Sequence, residues 1–195
     1  MAVSQVSLSN QALSELKAER ITSMTDGSEE SVVCTQYFQQ AMDTLLEQHL
    51  WDFAMKRAEP ARLATAPLYG FNYQFQVPTD PYCLRILEAT DTNGTLLDKW
   101  KREGSVILAD EEAIYVRYIM RVTNLTHLSA LFKEAFKFYM ASIMAYDLTG
   151  STSKGQDMFQ KYRMVMRKAK VNDAKQGAPY KETDSDYDWI EARFL

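Results

Sequence analysis

Two histidines, two cysteines and a scatter of carboxylates are what this chain offers for chemistry. His49 and His127 lie in separate helical or pre-helical stretches, and neither has a nucleophile beside it, so no Ser/His/Asp or Cys/His pattern is written along the chain. His49 stands next to Leu50-Trp51, where a histidine reads as a packed or capping residue rather than a base. An enzyme built on this chain would have to gather distant groups such as Asp80, His127 and Asp147 into one concave pocket. Cys34 and Cys83 fall in apolar runs without ligand spacing, which reads as buried free thiols of a reducing compartment. No His/Cys/carboxylate cluster has metal-type spacing, and Gly94, Gly104 and Gly150 stand singly at turns instead of forming a phosphate-cradling loop. The expectation is a protein without catalytic residues, metal or cofactor.

Two stretches remain that could act on a partner. The formal net charge is -4 over 195 residues, so general nucleic-acid affinity does not follow from composition, and basic surface must be local. It is concentrated near the C-terminal end: Lys154, Lys161, Arg163, Arg167, Lys168, Lys170 and Lys175 against Asp157 and Asp173. Such a helix presents either an ordinary solvated face or a surface for DNA phosphate or an acidic partner, with Lys161, Arg163, Arg167, Lys168 and Lys170 as its centre. Beyond Pro179 the segment KETDSDYDWIEARFL is acidic and poor in core residues, yet it holds Tyr187, Trp189, Ile190, Phe194 and Leu195. Aromatic anchors of that kind are favoured at interfaces, which makes residues 180–195 a candidate docking tail. No apolar run reaches the roughly 20 residues that span a bilayer, and the start lacks a signal core, so a cytosolic site of synthesis is expected.

The elements that must carry these residues read as α+β, a mainly helical bundle of about four helices with an inserted antiparallel sheet and an extended C-terminal tail. Residues 7–19 form a short helix capped by Ser9 or Asn10. Residues 28–58 read as one long helix: Asp26-Gly27-Ser28 supplies the cap, Glu29 and Glu30 the first-turn charge, and no Gly or Pro intervenes before Pro60. At 1.5 Å per residue it would be about 45 Å long, a strut rather than a core helix. The short link between these two helices predicts an antiparallel pair. From 69 to 122 the period becomes two: the aromatic run Tyr69, Phe71, Tyr73 and Phe75 reads as core and sheet packing with Val77 in the same register, and Asn93-Gly94 predicts a hairpin from Cys83–Ala89 back along Thr95–Lys101. Ser105–Leu108 and Ala113–Val122 complete a four- or five-stranded sheet. Helical spacing returns over 128–149, with Leu128, Leu131, Phe132, Ala135, Tyr139, Ile143 and Tyr146 in register. It continues over 153–175, capped by Ser153 and Gln156, with Phe159, Tyr162, Val165, Met166 and Ala169 inward. Residues 1–179 form one domain.

These stretches taken together resemble the tail tubular protein A family, the head-to-tail adaptors of short-tailed bacteriophages. The resemblance is carried by Leu45-Leu46, His49-Leu50-Trp51-Asp52-Phe53-Ala54 and Lys56-Arg57-Ala58, then by Tyr69-Gly70-Phe71, Val77-Pro78 and Cys83-Leu84-Arg85-Ile86-Leu87. It continues through Glu103-Gly104, Val116-Arg117-Tyr118-Ile119, Arg121-Val122-Thr123, Glu134-Ala135 and Leu148-Thr149-Gly150-Ser151. One departure is Leu16-Lys17, where a Leu-Gly pair is expected to end the first helix. The resemblance implies a non-enzymatic virion protein of the neck, assembled in the host cytoplasm. Such a protein forms a ring, commonly of twelve copies, beneath the portal protein; it extends the channel through which genomic double-stranded DNA passes and receives the tail nozzle. The residue reading alone leaves a second class open, a nucleic-acid-binding regulator that uses the basic last helix.

Overall fold

Ser4 and Ser7 form a reciprocal capping box, each hydroxyl accepting the other's backbone N–H at 3.1 and 2.9 Å, and this starts helix α1 at Gln5–Leu16. The cap therefore precedes the expected one. Ser9 is buried inside the helix, and Asn10 instead reaches forward to bond both the N–H and the C=O of Ile21. Lys17 ends α1 in the left-handed conformation (φ 60°) that helices usually give to glycine. The computed structural model describes residues 3–175.

Helix α2, Glu29–Glu47, begins as the sequence predicts, with the Ser28 hydroxyl accepting the Ser31 N–H. Asp26 braces this cap by accepting the Ser28 hydroxyl and N–H and the Thr22 N–H, bonds that hold its carboxyl well below the usual range. The helix stops eleven residues earlier than predicted, and its 19 residues span only about 28 Å, so it is no strut. After Gln48 the chain turns so that Trp51 is fully buried and its indole N–H caps the Leu45 carbonyl at 2.9 Å. A 3-10 turn, Asp52–Ala54, then leads into strand β1, Met55–Ala58. Tertiary pairing has overridden a run without helix breakers. The signal lay in the stripe: positions 49, 52 and 56, which continue the Leu45 row, are His, Asp and Lys.

Helix α3, Ala130–Thr149, is closed by Gly150 at φ 63°, as its sequence implies, and starts two residues after the expected Leu128 because the Ser129 hydroxyl caps it. Helix α4, Thr152–Ala174, takes Ser151 as cap in place of Ser153. Its inner row is Met158, Tyr162, Met166, Ala169 and Asp173, whereas Phe159 and, on α3, Tyr146 are exposed, contrary to the predicted register. Gly155 lets α4 approach α3 closely, since a Cβ there would sit 3.1 Å from the Ser142 carbonyl oxygen. Helix α3 is central: α1, α2 and α4 all pack on it, and α1 and α2 barely touch, so the expected α1–α2 hairpin is replaced by packing through α3.

Among the described residues the strands form two three-stranded antiparallel sheets instead of one. The first has the order β1-β6-β3, with β3 at Cys83–Thr90 and β6 at Tyr115–Met120; the second is β2-β5-β4, at Tyr73–Gln76, Val106–Ala109 and Trp100–Glu103. Asp91 accepts the N–H groups of Asn93 and Thr95 at 2.8 Å and makes the predicted turn, but the returning chain bridges β3 only at Leu96. It then leaves to pair with β5 across the Glu103-Gly104 turn, placing Leu97 and Trp100 against the second core. Of the aromatic run, Phe75 and Val77 are buried, Phe71 and Tyr73 half-buried, and Tyr69 exposed, because the strand begins only at Tyr73.

Two apolar cores meet at β6. Ile119 joins the helical core, and Val116 and Tyr118 on the opposite face join the core between the sheets with Phe75 and Ile107. Arg121 chelates Asp43 of α2 through two nitrogens and stacks on Tyr82 at 4.5 Å, tying helices to sheet beside this wall. Cys34 and Cys83 are free and buried, as predicted, and burial pushes the Cys34 thiol up to about 11.

Candidate interaction surfaces

A helix turns about 100° per residue, so residues seven apart lie almost in line. Lys154, Lys161, Lys168 and Lys175 form one such row along α4, whereas Arg163, Arg167 and Lys170 flank the opposite side of its buried face. Between the rows lie the exposed Met164 and Val171. The five cations proposed as one basic face are thus divided, and two are engaged. Lys161 pairs with Glu15 of α1 at 3.5 Å, and Lys170 donates to the Gln48 carbonyl at the end of α2 at 3.1 Å. Arg163, Arg167 and Lys168 point to solvent, with the Arg167 Nε reaching the Arg163 carbonyl at 3.4 Å.

His49 is a packed residue, as its setting implies. Its ring lies edge-on to Trp51 with centroids 4.7 Å apart, and Nε2 meets Asp173 Oδ2 at 3.1 Å. Asp173 is 3% exposed, and among the described residues its Oδ1 has no side-chain or main-chain hydrogen-bond partner within bonding geometry. Burial and then the neighbouring Asp52 carboxylate push Asp173 up, outweighing the pull of His49. Tyr162 donates to Gln48 Oε1, so three residues of α4, Tyr162, Lys170 and Asp173, hold the elbow where α2 ends.

The fold does not gather Asp80, His127 and Asp147. His127, bonded to Asn124 at 3.2 Å, and Asp147, bonded by the Tyr37 hydroxyl at 2.8 Å, stand at opposite ends of α3, about 30 Å apart. Asp80 is exposed in the turn before Pro81, between β2 and β3. Among the described residues no group of three or more His, Cys, Asp or Glu is placed to hold a metal ion, and no helix is long and apolar enough to cross a membrane.

Apolar groups are offered to solvent on both lobes. On the sheet lobe, Leu68 and Tyr69 are 99% and 87% exposed at the tip of the loop that leads to β2, over a hollow of about 380 Å³ floored by Val106 and Leu108. On the helical lobe, a groove of about 620 Å³ runs between the end of α3 and the start of α4, walled by Ile143, Tyr146 and Phe159. Sequence reasoning missed both, having assigned Tyr69, Tyr146 and Phe159 to the interior. It also read Lys56-Arg57 only as the end of a helix, whereas they sit on an outer strand. Tyr187, Trp189, Ile190, Phe194 and Leu195 of the candidate docking tail lie outside the described residues. The sequence matches no protein-family model and no curated protein.

Proposed function

We propose that this chain is a structural virion subunit, a head-to-tail adaptor that forms a ring beneath a portal protein, extends the DNA channel and joins it to the tail. The observation that carries this reading is the pair of exposed apolar surfaces on different lobes of one chain, Leu68-Tyr69 on one and Ile143, Tyr146 and Phe159 on the other. Contacts between unlike faces generate closed rings or open filaments rather than two-fold dimers. The sequence resemblance to the tail tubular protein A family supplies the neck as the place for such a ring, with twelve copies the common number. The alternative, a nucleic-acid-binding regulator, has less support, because Lys161 and Lys170 are spent on Glu15 and Gln48 and the other cations of α4 fall on two rows.

Mixing the protein with a portal assembly and imaging the product tests the proposal. Rings seated on the portal are expected, and a stable dimer that never adds to the portal would refute it. A gel-shift titration at two salt concentrations separates the alternative: tight binding of DNA by the isolated chain, falling steeply with salt, would favour the regulator.

A further inference from the structure

Strand β1 carries more positive charge than its surroundings cancel. The Met55 N–H bonds the Asp52 carbonyl, and the Lys56 and Ala58 amides face β6, so Arg57 falls in a non-hydrogen-bonded pair of the ladder, directly opposite Arg117. Facing side chains come closest at such pairs, and two like charges placed there repel. Glu88 on β3 answers only part of this. Its Oε2 accepts from Arg117 Nη2 at 3.0 Å, whereas the buried Arg117 Nε lies 2.8 Å from Oε1 outside hydrogen-bond geometry. Among the described residues, no carboxylate lies within ion-pair distance of Lys56 or Arg57.

All three cations line one hollow of about 440 Å³, whose remaining wall is Met55 and Asp52. Lys56 and Arg57 are exposed and, as consecutive strand residues, start toward opposite faces of the sheet, so a hollow that both line wraps the outer edge of β1. With Glu88 and Asp52 set against the three cations, one positive charge is left uncancelled. An anion seated between Arg57 and Arg117 would turn their repulsion into shared attraction. The wall limits what that anion is. Donors arrive from both faces of the sheet, which suits a tetrahedral group with diverging oxygens, whereas a planar carboxylate is filled by one guanidinium fork. Asp52 disfavours a second negative charge. The space is many times the volume of roughly 30 Å³ that one water takes in the liquid, so an ester with its substituents fits.

We propose that Lys56, Arg57 and Arg117 form a binding site for one singly charged phosphate group, a phosphodiester, with the two guanidinium groups clamping its free oxygens and Lys56 reaching it from the other face. A nucleic-acid backbone and a small free phosphodiester share this chemistry. One such contact is too few for the tight, salt-steep binding of a regulator, and the inference does not rest on the adaptor reading.

The experiment is NMR of the full chain at constant ionic strength, following the side-chain Nε–Hε resonances of Arg57 and Arg117, with the exposed Arg163 and Arg167 of α4 as references. The probes are dimethyl phosphate, a short DNA duplex and acetate. Saturable shifts of Arg57 and Arg117 with dimethyl phosphate are expected, larger than those of the references and than those produced by acetate. The variant Arg57→Gln should weaken the Arg117 response roughly tenfold, the factor for one charge-assisted hydrogen bond. Because it removes the like-charge pair, it should melt no lower than wild type in the absence of phosphate. Shifts with the duplex, alone or as well, assign the group to a nucleic-acid backbone, and shifts with dimethyl phosphate alone assign it to a small ester. No saturable shift with either probe, shifts matched by the references or by acetate, or an Arg117 response unchanged in Arg57→Gln would overturn the proposal. A lower melting temperature for Arg57→Gln would also count against it, since the two guanidinium groups would then not be in conflict.

Discussion

Replacing Trp51 by alanine should be among the most damaging single changes to this fold. The side chain is fully buried at the junction of α2, the 3-10 turn and α3, with ring centroids 4.7 Å from His49, 5.0 Å from Phe132 and 5.6 Å from Phe53. Burying about 200 Å² of aromatic surface at roughly 25 cal/mol per Å² gives an upper bound near 5 kcal/mol. Residual burial in the unfolded chain lowers that figure, and loss of the donor to the Leu45 carbonyl, 2.9 Å away, adds about 1 kcal/mol. The net is about 4 kcal/mol, within the range for large-to-alanine core substitutions. Urea unfolding should show the midpoint falling with the slope unchanged. Trp51→Phe, which keeps most of the ring and removes the N–H, should cost less, about 1 to 3 kcal/mol. A loss under about 1 kcal/mol for Trp51→Ala would mean that the elbow is not a packed core, and the account of why α2 ends at Glu47 would fall with it.

Lys17→Gly should stabilise the protein by about 0.5 to 1 kcal/mol, because the residue that closes α1 already sits at φ 60°; a destabilised variant in thermal melts would contradict the left-handed cap. Asp173 has a raised folded pKa, so its stabilising contribution is complete below its ordinary value of 3.8 and is lost as pH rises through the folded value. Asp173→Asn should therefore match wild type at low pH and exceed it at neutral pH; melting curves that stay parallel across that window would exclude the burial cost. Deleting residues 180–195 should shift Tm by no more than about 2 °C while impairing assembly on a portal, and a large drop would place those residues in the core.

How much of this could be read from the chain depends on what decides each element. The cap at Ser28 and the stop at Gly150 are local chemistry, and the structure agrees with them. So do the α+β class, the α3 register at Phe132 and Ala135, and the burial of both cysteines. What failed was decided at a distance. Nothing in Met55–Ala58 itself says strand; β6 supplies the partner, and Trp51 and the grip of α4 on Gln48 supply the turn. The division into two sheets likewise depends on which neighbour Trp100–Glu103 finds, and Asn93-Gly94 fixes only a turn. The surfaces were the least legible. Exposure of Tyr69, Tyr146 and Phe159 follows from where strands and helices begin and how α3 and α4 rotate, and an aromatic residue looks the same in a core as on a contact face. Counting cations along α4 gave a basic stretch, but only the rotation of the helix shows them parted.

Strand β6 has a consequence beyond packing. Because consecutive residues Tyr118 and Ile119 belong to different cores, neither lobe can lose this strand and keep its own interior closed. Heating should therefore melt the molecule in one step, not lobe by lobe. A push against the sheet would likewise be transmitted to the helices through a partition that both sides need, as one stiff body.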